Sequence, residues 1–189
     1  GGMGSATTYH LARRGIDVLG LERYDIPHTN GSSHGHTRII RRAYYEDPSY
    51  VPLIERAYDL WDQLADETER DVIHRTGSID AGPLDDPVFA GSKSSCEEHD
   101  IPYEVLDGAE LADRFPGYRL PEDYRAVYQP DGGFVVPEEA IAGHVEAAQE
   151  AGATVRAREP VKNWTETASG GVTVETRHGT YRADALVLA

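Results

Sequence analysis

Apolar residues recur along this chain in two rhythms, one helical and one of short continuous runs. From Ser5 to Arg14 the positions Ala6, Tyr9, Leu11 and Ala12 share one helical face, and Gly15 stands where a glycine stop is expected. Asp17 to Glu22 follows as the run Val18-Leu19-Gly20-Leu21 closed by an acid, which predicts a parallel strand covered on both faces. Between Pro48 and Glu67, Val51, Ile54, Ala57, Tyr58, Trp61 and Leu64 recur at helical spacing and predict a long amphipathic helix. A second strong helix is predicted over Pro137 to Ala151, with proline in its first turn, Glu138 and Glu139 at its positive end, and Gly152 at its stop.

The stretches between these helices read as strands and turns. Thr76 to Ala81, Tyr103 to Leu106, Ala126 to Gln129, Thr154 to Ala157, Val172 to Thr176 and Ala185 to Ala189 predict strands, with His178-Gly179 as a turn. Ala109 to Phe115 predicts a short helix ended by Pro116, and Cys96 lies in a polar helical stretch. Pro27 to Thr37 gathers Pro, Gly, Ser, Thr, Asn and three His, and reads as a loop. No internal repeat is visible.

Composition narrows the class. With 39% hydrophobic and 27% charged residues, the 189 residues suit a globular protein of about one ordinary domain, and no run approaches a membrane span. The formal charge of -15 repels phosphate backbones and anionic lipids, which argues against nucleic-acid or membrane partners. Acids are spread evenly and the only lysines are Lys93 and Lys162, the pattern of a solvated acidic surface such as a salt-adapted protein carries. The single cysteine, Cys96, has no partner in the chain, so a reducing cytoplasm is the expected compartment. The chain opens on a glycine cluster with no preceding strand and stops within an apolar run, and both ends read as cut.

Gly1-Gly2-Met3-Gly4 fits the last four positions of G-x-G-x-x-G. Lacking a Cβ, Gly1 would let the backbone approach a pyrophosphate at a helix N-terminus, and Gly4 would let that helix pack closely on a strand. Glu22 closes the next strand about 20 residues on, where a ribose hydroxyl is bound in dinucleotide folds. An acid there disfavours a 2′-phosphate, leaving FAD or NAD as the expected ligand.

The most informative stretch is Pro27-His28-Thr29-Asn30-Gly31-Ser32-Ser33-His34-Gly35-His36-Thr37-Arg38-Ile39-Ile40-Arg41-Arg42-Ala43-Tyr44. It resembles the P-H-x-x-G-S-x-H-G-x-[ST]-R-[IL]-I-R-x-A-Y segment of the family of monomeric sarcosine oxidase, N-methyltryptophan oxidase and pipecolate oxidase. The glycine turn, Glu22, Thr76-Gly77, Arg114-Phe115-Pro116 and Gly132-Gly133 follow in the family's order, so the resemblance spans the chain.

That resemblance implies an FAD enzyme that oxidises the secondary amine of a small amino acid. A hydride would pass from the carbon beside the amine to the flavin, and molecular oxygen would reoxidise the flavin to give peroxide. It also implies that Arg41 holds the substrate carboxylate and Arg38 stands beside the flavin ring. His34 would hydrogen-bond near the flavin or buttress the loop, Ser32 and Ser33 would donate to cofactor phosphate or ribose, and the backbone of Val161 would meet adenine. Gly1, Gly2, Met3, Gly4, Glu22 and Arg23 complete the expected cofactor shell. A guanidinium suits a carboxylate because it binds bidentately and keeps its charge near neutrality, although surface ion pairing in so acidic a protein is the plain alternative for both arginines. As residues three apart, Arg38 and Arg41 would share a helical face or sit on opposite faces of a strand.

His28, His34 and His36 invite a metal site, but their spacing is not that of a helix-borne pair, no Cys joins them, and none is expected. Ser33 and His36 depart from the His and Asp usual in the sarcosine and methyltryptophan type, which loosens the substrate assignment. Cys96 does not match the family's flavin-linking cysteine. The expected architecture is α/β: a Rossmann-like FAD-binding part over 1–75 and 135–189, with a mixed substrate layer inserted over 76–134. An NAD-dependent dehydrogenase and a non-catalytic nucleotide-binding domain are the rival readings.

Overall fold

Glycine and small residues open the first helix, and the computed structural model, which describes residues 1–189, begins with it. The elements run α1 (Gly2–Ala12), β1 (Leu19–Leu21), β2 (Arg38–Ile40), a 3-10 turn (Pro48–Tyr50), α2 (Val51–Thr68), β3 (Ile73–Arg75), β4 (Ser78–Pro83) and α3 (Pro87–Glu98). They continue as β5 (Glu104–Leu106), α4 (Gly108–Arg114), β6 (Tyr124–Gln129), β7 (Gly133–Val135), α5 (Pro137–Glu150), β8 (Thr154–Arg156), β9 (Val161–Glu166), β10 (Val172–Thr176) and β11 (Thr180–Ala183). No helix is long and apolar enough to cross a membrane. The chain divides into two units, one formed by 1–37, 64–72 and 136–189, the other by 38–63 and 73–135. These limits differ from the expected 1–75, 76–134 and 135–189 chiefly over 38–63, which belong with the second unit.

In the first unit β1 pairs in parallel with β8, Leu19 opposite Thr154, each strand following a helix, α1 and α5 respectively. Leu19 is nonetheless exposed and Leu21 half-buried, so the expected cover on both faces of this strand is incomplete within the chain. Helices α1 and α5 pack together, and Tyr9 and Ala12 of α1 and Ala140, Ile141, Ala147 and Ala148 of α5 are buried. The Tyr9 hydroxyl donates to Glu67 at 2.6 Å, and Arg13 reaches the same carboxylate at 2.6 Å. Strands β9, β10 and β11 form an antiparallel sheet of their own, with His178-Gly179 in the expected turn. The strand expected at Ala185 to Ala189 is absent, and β11 lies upstream of it. An apolar run becomes a strand only where a neighbour supplies the ladder, and no strand of this chain pairs with it.

The second unit holds two three-stranded antiparallel sheets, β2-β7-β3 and β4-β6-β5. Helix α3 covers β4 and β6, and its inner face is built from Phe89, Ser92, Ser95 and Cys96. Phe89 and Cys96 close a core with Ala43, Val51, Ile101 and Val127, while Leu106, Leu111 and Ala126 form a second cluster under α4. The predicted long helix begins as a 3-10 turn capped by Asp47, whose side chain accepts from the Ser49 amide.

Candidate functional site

In the first unit, α1 starts with no side-chain cap at Gly1 and no acid in its first turn, which leaves its orphan amides to a partner outside the helix. This terminus opens on a groove of about 280 Å³ whose lining includes Gly1 to Gly4, Glu22, His28, Ser32 and Ser33. A Cβ on Gly2 would come within 3.1 Å of the Ser33 hydroxyl, whereas one on Gly4 would make an ordinary 3.6 Å contact with Ala189. The tight helix-to-strand approach expected at Gly4 falls instead at Gly20 of β1, where a Cβ would stand 3.3 Å from the Thr8 hydroxyl on α1.

Glu22 follows β1 and is fixed by the chain around it. Its carboxylate accepts from the Tyr24 amide at 2.9 Å, the Gly1 nitrogen lies 3.3 Å away, and His28 Nε2 approaches at 3.4 Å. Burial raises the pKa of this carboxyl, while the Tyr24 amide and His28 act to lower it. His28 Nδ1 in turn accepts from the Asn30 amide at 3.1 Å. A hydrogen-bonded carboxylate beside an uncapped helix N-terminus and two loop serines is a donor and acceptor set that fits a dinucleotide's ribose and pyrophosphate.

A neighbouring cavity of about 530 Å³ shares Tyr24, Asp25, Pro27 and His28 with the groove, and Arg23, Arg158, Pro160 and Arg177 enclose it. Arg23 lies over the Tyr24 ring. Val161 is exposed and directly follows Pro160. His34 and its neighbour Gly35 are half-buried, and the Gly35 amide donates to Glu138 at the start of α5, which ties the loop down.

In the second unit, Arg38 is exposed on β2 opposite Val135, and Arg41 sits just beyond the strand end. Only Arg38 is therefore in the strand, and Arg41 is largely sheltered, its side chain 17% exposed. The guanidinium of Arg41 lies 5.2 Å from the Tyr44 ring centre and 5.0 Å from that of Tyr45. Its Nη2 is 3.5 Å from Glu46, and its Nε is 3.7 Å from Asp80 and finds no hydrogen-bond acceptor. Asp80 is buried and accepts from the Ser92 hydroxyl at 2.6 Å and from the Gln129 amide at 3.3 Å.

The groove thus gathers Gly1, Gly2, Met3, Gly4, Glu22, Ser32 and Ser33 of the expected residues, with Arg23 in the adjoining cavity. His34 and Val161 line neither space. Two residues escaped the sequence reading: His28 as the neighbour of Glu22, and Asp80 as the neighbour of Arg41. An acid on the inward face of β4 was the available signal for Asp80, since a buried carboxylate needs a partner. For His28 the sequence offered only its place in the loop.

The whole chain, residues 1–189, matches the model of the FAD dependent oxidoreductase family. It is 42% identical over 188 residues to the monomeric sarcosine oxidase of Streptomyces avermitilis, covering 100% of this chain and 49% of that protein. It is 38% identical to the N-methyl-L-tryptophan oxidase of Citrobacter koseri, covering 100% and 50%. The open form of NikD, an unusual amino acid oxidase essential for nikkomycin biosynthesis, superposes with a TM-score of 0.85 at 36% identity, covering 97% of this chain and 47% of that one. The chain therefore spans about half the length of the relatives it matches. The flavin alternative prevails over the nicotinamide one left open by the glycine pattern, and the chain belongs to the FAD dependent oxidoreductase family.

Proposed function

We propose that this chain is the FAD-binding and carboxylate-recognising part of an oxidase that acts on the secondary amine of a small amino acid. The observation that carries the reading is the groove in which the uncapped N-terminus of α1, Glu22 and two loop serines converge. There the α1 amides would hold the pyrophosphate, Glu22 would accept from a ribose hydroxyl, and Ser32 and Ser33 would donate to phosphate. The adenine end would extend toward Arg23 and the Pro160-Val161 backbone.

Arg41 would hold the substrate carboxylate through the edge of its guanidinium, orienting the amine-bearing carbon, and Arg38 would add positive charge near the flavin ring. His34 would steady the loop that carries both serines. Bound FAD would supply the hydride acceptor, and its reoxidation by oxygen would release hydrogen peroxide. Relatives named for sarcosine and N-methyl-L-tryptophan support a secondary amino acid as substrate.

The test is anaerobic bleaching of the flavin in the complete protein by sarcosine, pipecolate, proline or N-methyltryptophan. At least one should bleach it, and Arg41→Ala should abolish the response while leaving FAD bound. Absence of bleaching by all four would remove the reaction and leave the cofactor assignment standing.

A further inference from the structure

Arg41 is not a bare cation awaiting an anion. Its Nε faces the buried carboxylate of Asp80 at 3.7 Å, and no acceptor completes that N–H. The groups around Asp80 come from three directions: Arg41, Tyr45 and Glu46 after β2, Ser92 and Cys96 on α3, and Gln129 on β6. Only Arg41 among them is a cation. Ser92 and the Gln129 amide donate to the same oxygen of Asp80, and the Gln129 carbonyl oxygen is itself fixed by the Ala43 amide at 2.8 Å. The carboxylate is therefore held from β6 and α3, and Arg41 turns its Nε toward it at 3.7 Å while its Nη2 lies 3.5 Å from Glu46.

A second carboxylate placed on Arg41 would share that one positive charge with Asp80. Like charges across a sheltered guanidinium cannot both stay ionised without cost, and the buried member is the one that gains most from a proton. Glu46, 42% exposed, is screened by water and is the weaker competitor.

Resting on the reading that Arg41 holds the substrate carboxylate, we infer that Asp80 is a positioning residue for Arg41 and takes up a proton when that carboxylate binds, making substrate binding proton-linked. Burial already raises Asp80 above the ordinary carboxylate range, with Ser92, Arg41 and Gln129 opposing it and Glu46 adding to it. A bound carboxylate moves it further in the same direction. Between the free and the bound values one proton is taken up, so the dissociation constant rises with pH by about tenfold per pH unit and levels off above the bound value.

The experiment uses the complete, FAD-loaded protein and a probe that cannot be oxidised, cyclopentanecarboxylate, with cyclopentanecarboxamide as the neutral control. Calorimetric titrations in buffers of different ionisation heat count the protons taken up. The carboxylate should draw in up to one proton and the amide none. Asp80→Asn, which keeps an acceptor for Ser92, should abolish the uptake, flatten the pH profile and bind the probe more tightly at high pH. Ser92→Ala removes a donor to the charged form and should move the pH window upward.

If Arg41→Ala abolishes binding yet the wild type takes up no proton, the Arg41 reading stands and the Asp80 inference falls. A probe bound equally by wild type and Arg41→Ala, or not bound by the wild type, would overturn the Arg41 reading and the inference with it.

Discussion

The ring of His144 shows how a single residue can make stability depend on pH. It lies buried between α1 and α5, 5.3 Å from the Tyr9 ring, and burial, aided by the nearby His10, lowers its pKa from 6.5 to about 4. Its folded value is below its unfolded one, so the unfolded chain binds the extra proton. The contribution is complete above about pH 6.5 and is lost as pH falls toward 4. At about 1.4 kcal/mol per pH unit, the full loss is on the order of 3 kcal/mol. Urea unfolding from neutral to mildly acidic pH should therefore show a steeper fall for wild type than for His144→Phe. Parallel curves would mean that the imidazole is already solvated.

Residue chemistry near the groove at the start of α1 was partly legible. Glu22 could be read because it closes an apolar run at a fixed distance from a glycine cluster, which is a relation along the sequence. The contacts that hold it, from Tyr24 and His28, depend on how the following loop turns back, and no periodicity records that.

At the scale of elements, α3 explains why one helix beside Arg41 was hardly visible. Its inner face is made from Gly91, Ser92, Ser95 and Cys96 alongside Phe89, so the usual contrast of large apolar and polar positions is weak. Small residues are required because the chain passes very close. A Cβ on Gly91 would lie 2.1 Å from the Tyr45 carbonyl oxygen, and the Ser95 hydroxyl donates to the Tyr44 carbonyl at 2.6 Å. Gly91→Ala must push the 44–46 segment away from the helix, and with it the rings over Arg41. The expected cost is about 3 kcal/mol, at the upper end of core overpacking, and it would be read as a lower denaturant midpoint. An unchanged midpoint would show that α3 can slide to accommodate a methyl group.

Helices with strong patterns, α2 and α5, were recovered within a few residues. Strands β2, β3, β7, β9 and β11 were not predicted; β2, β3 and β7 are three residues long and outside any apolar run that the sequence reading marked, and β9 is exposed along its whole length. A strand of three residues has too few positions to display an alternation.

For the whole molecule the dominant quantity is the charge of -15. Local ion pairs such as Arg70 with Glu139 and Glu146, or Arg75 with Asp62, are already counted in that sum, and beyond residue 45 the acids outnumber the bases. Self-repulsion is screened over about 10 Å at 0.1 M salt and about 3 Å at 1 M. The thermal midpoint should therefore rise as potassium chloride is raised to molar concentration, and a flat response would refute salt adaptation.

Sequence alone determined the kind of protein. Helical and strand rhythms, the glycine cluster with its distant acid, and the Pro27 to Tyr44 segment are relations between residues at fixed separations, and such relations survive without coordinates. Tertiary structure decided the assembly around them: the pairing of β1 with β8, the assignment of 38–63 to the second unit, and the meeting of Arg41 with Asp80. Those contacts join segments far apart in the chain, and they follow from burial and hydrogen-bond satisfaction, which only the folded chain can impose.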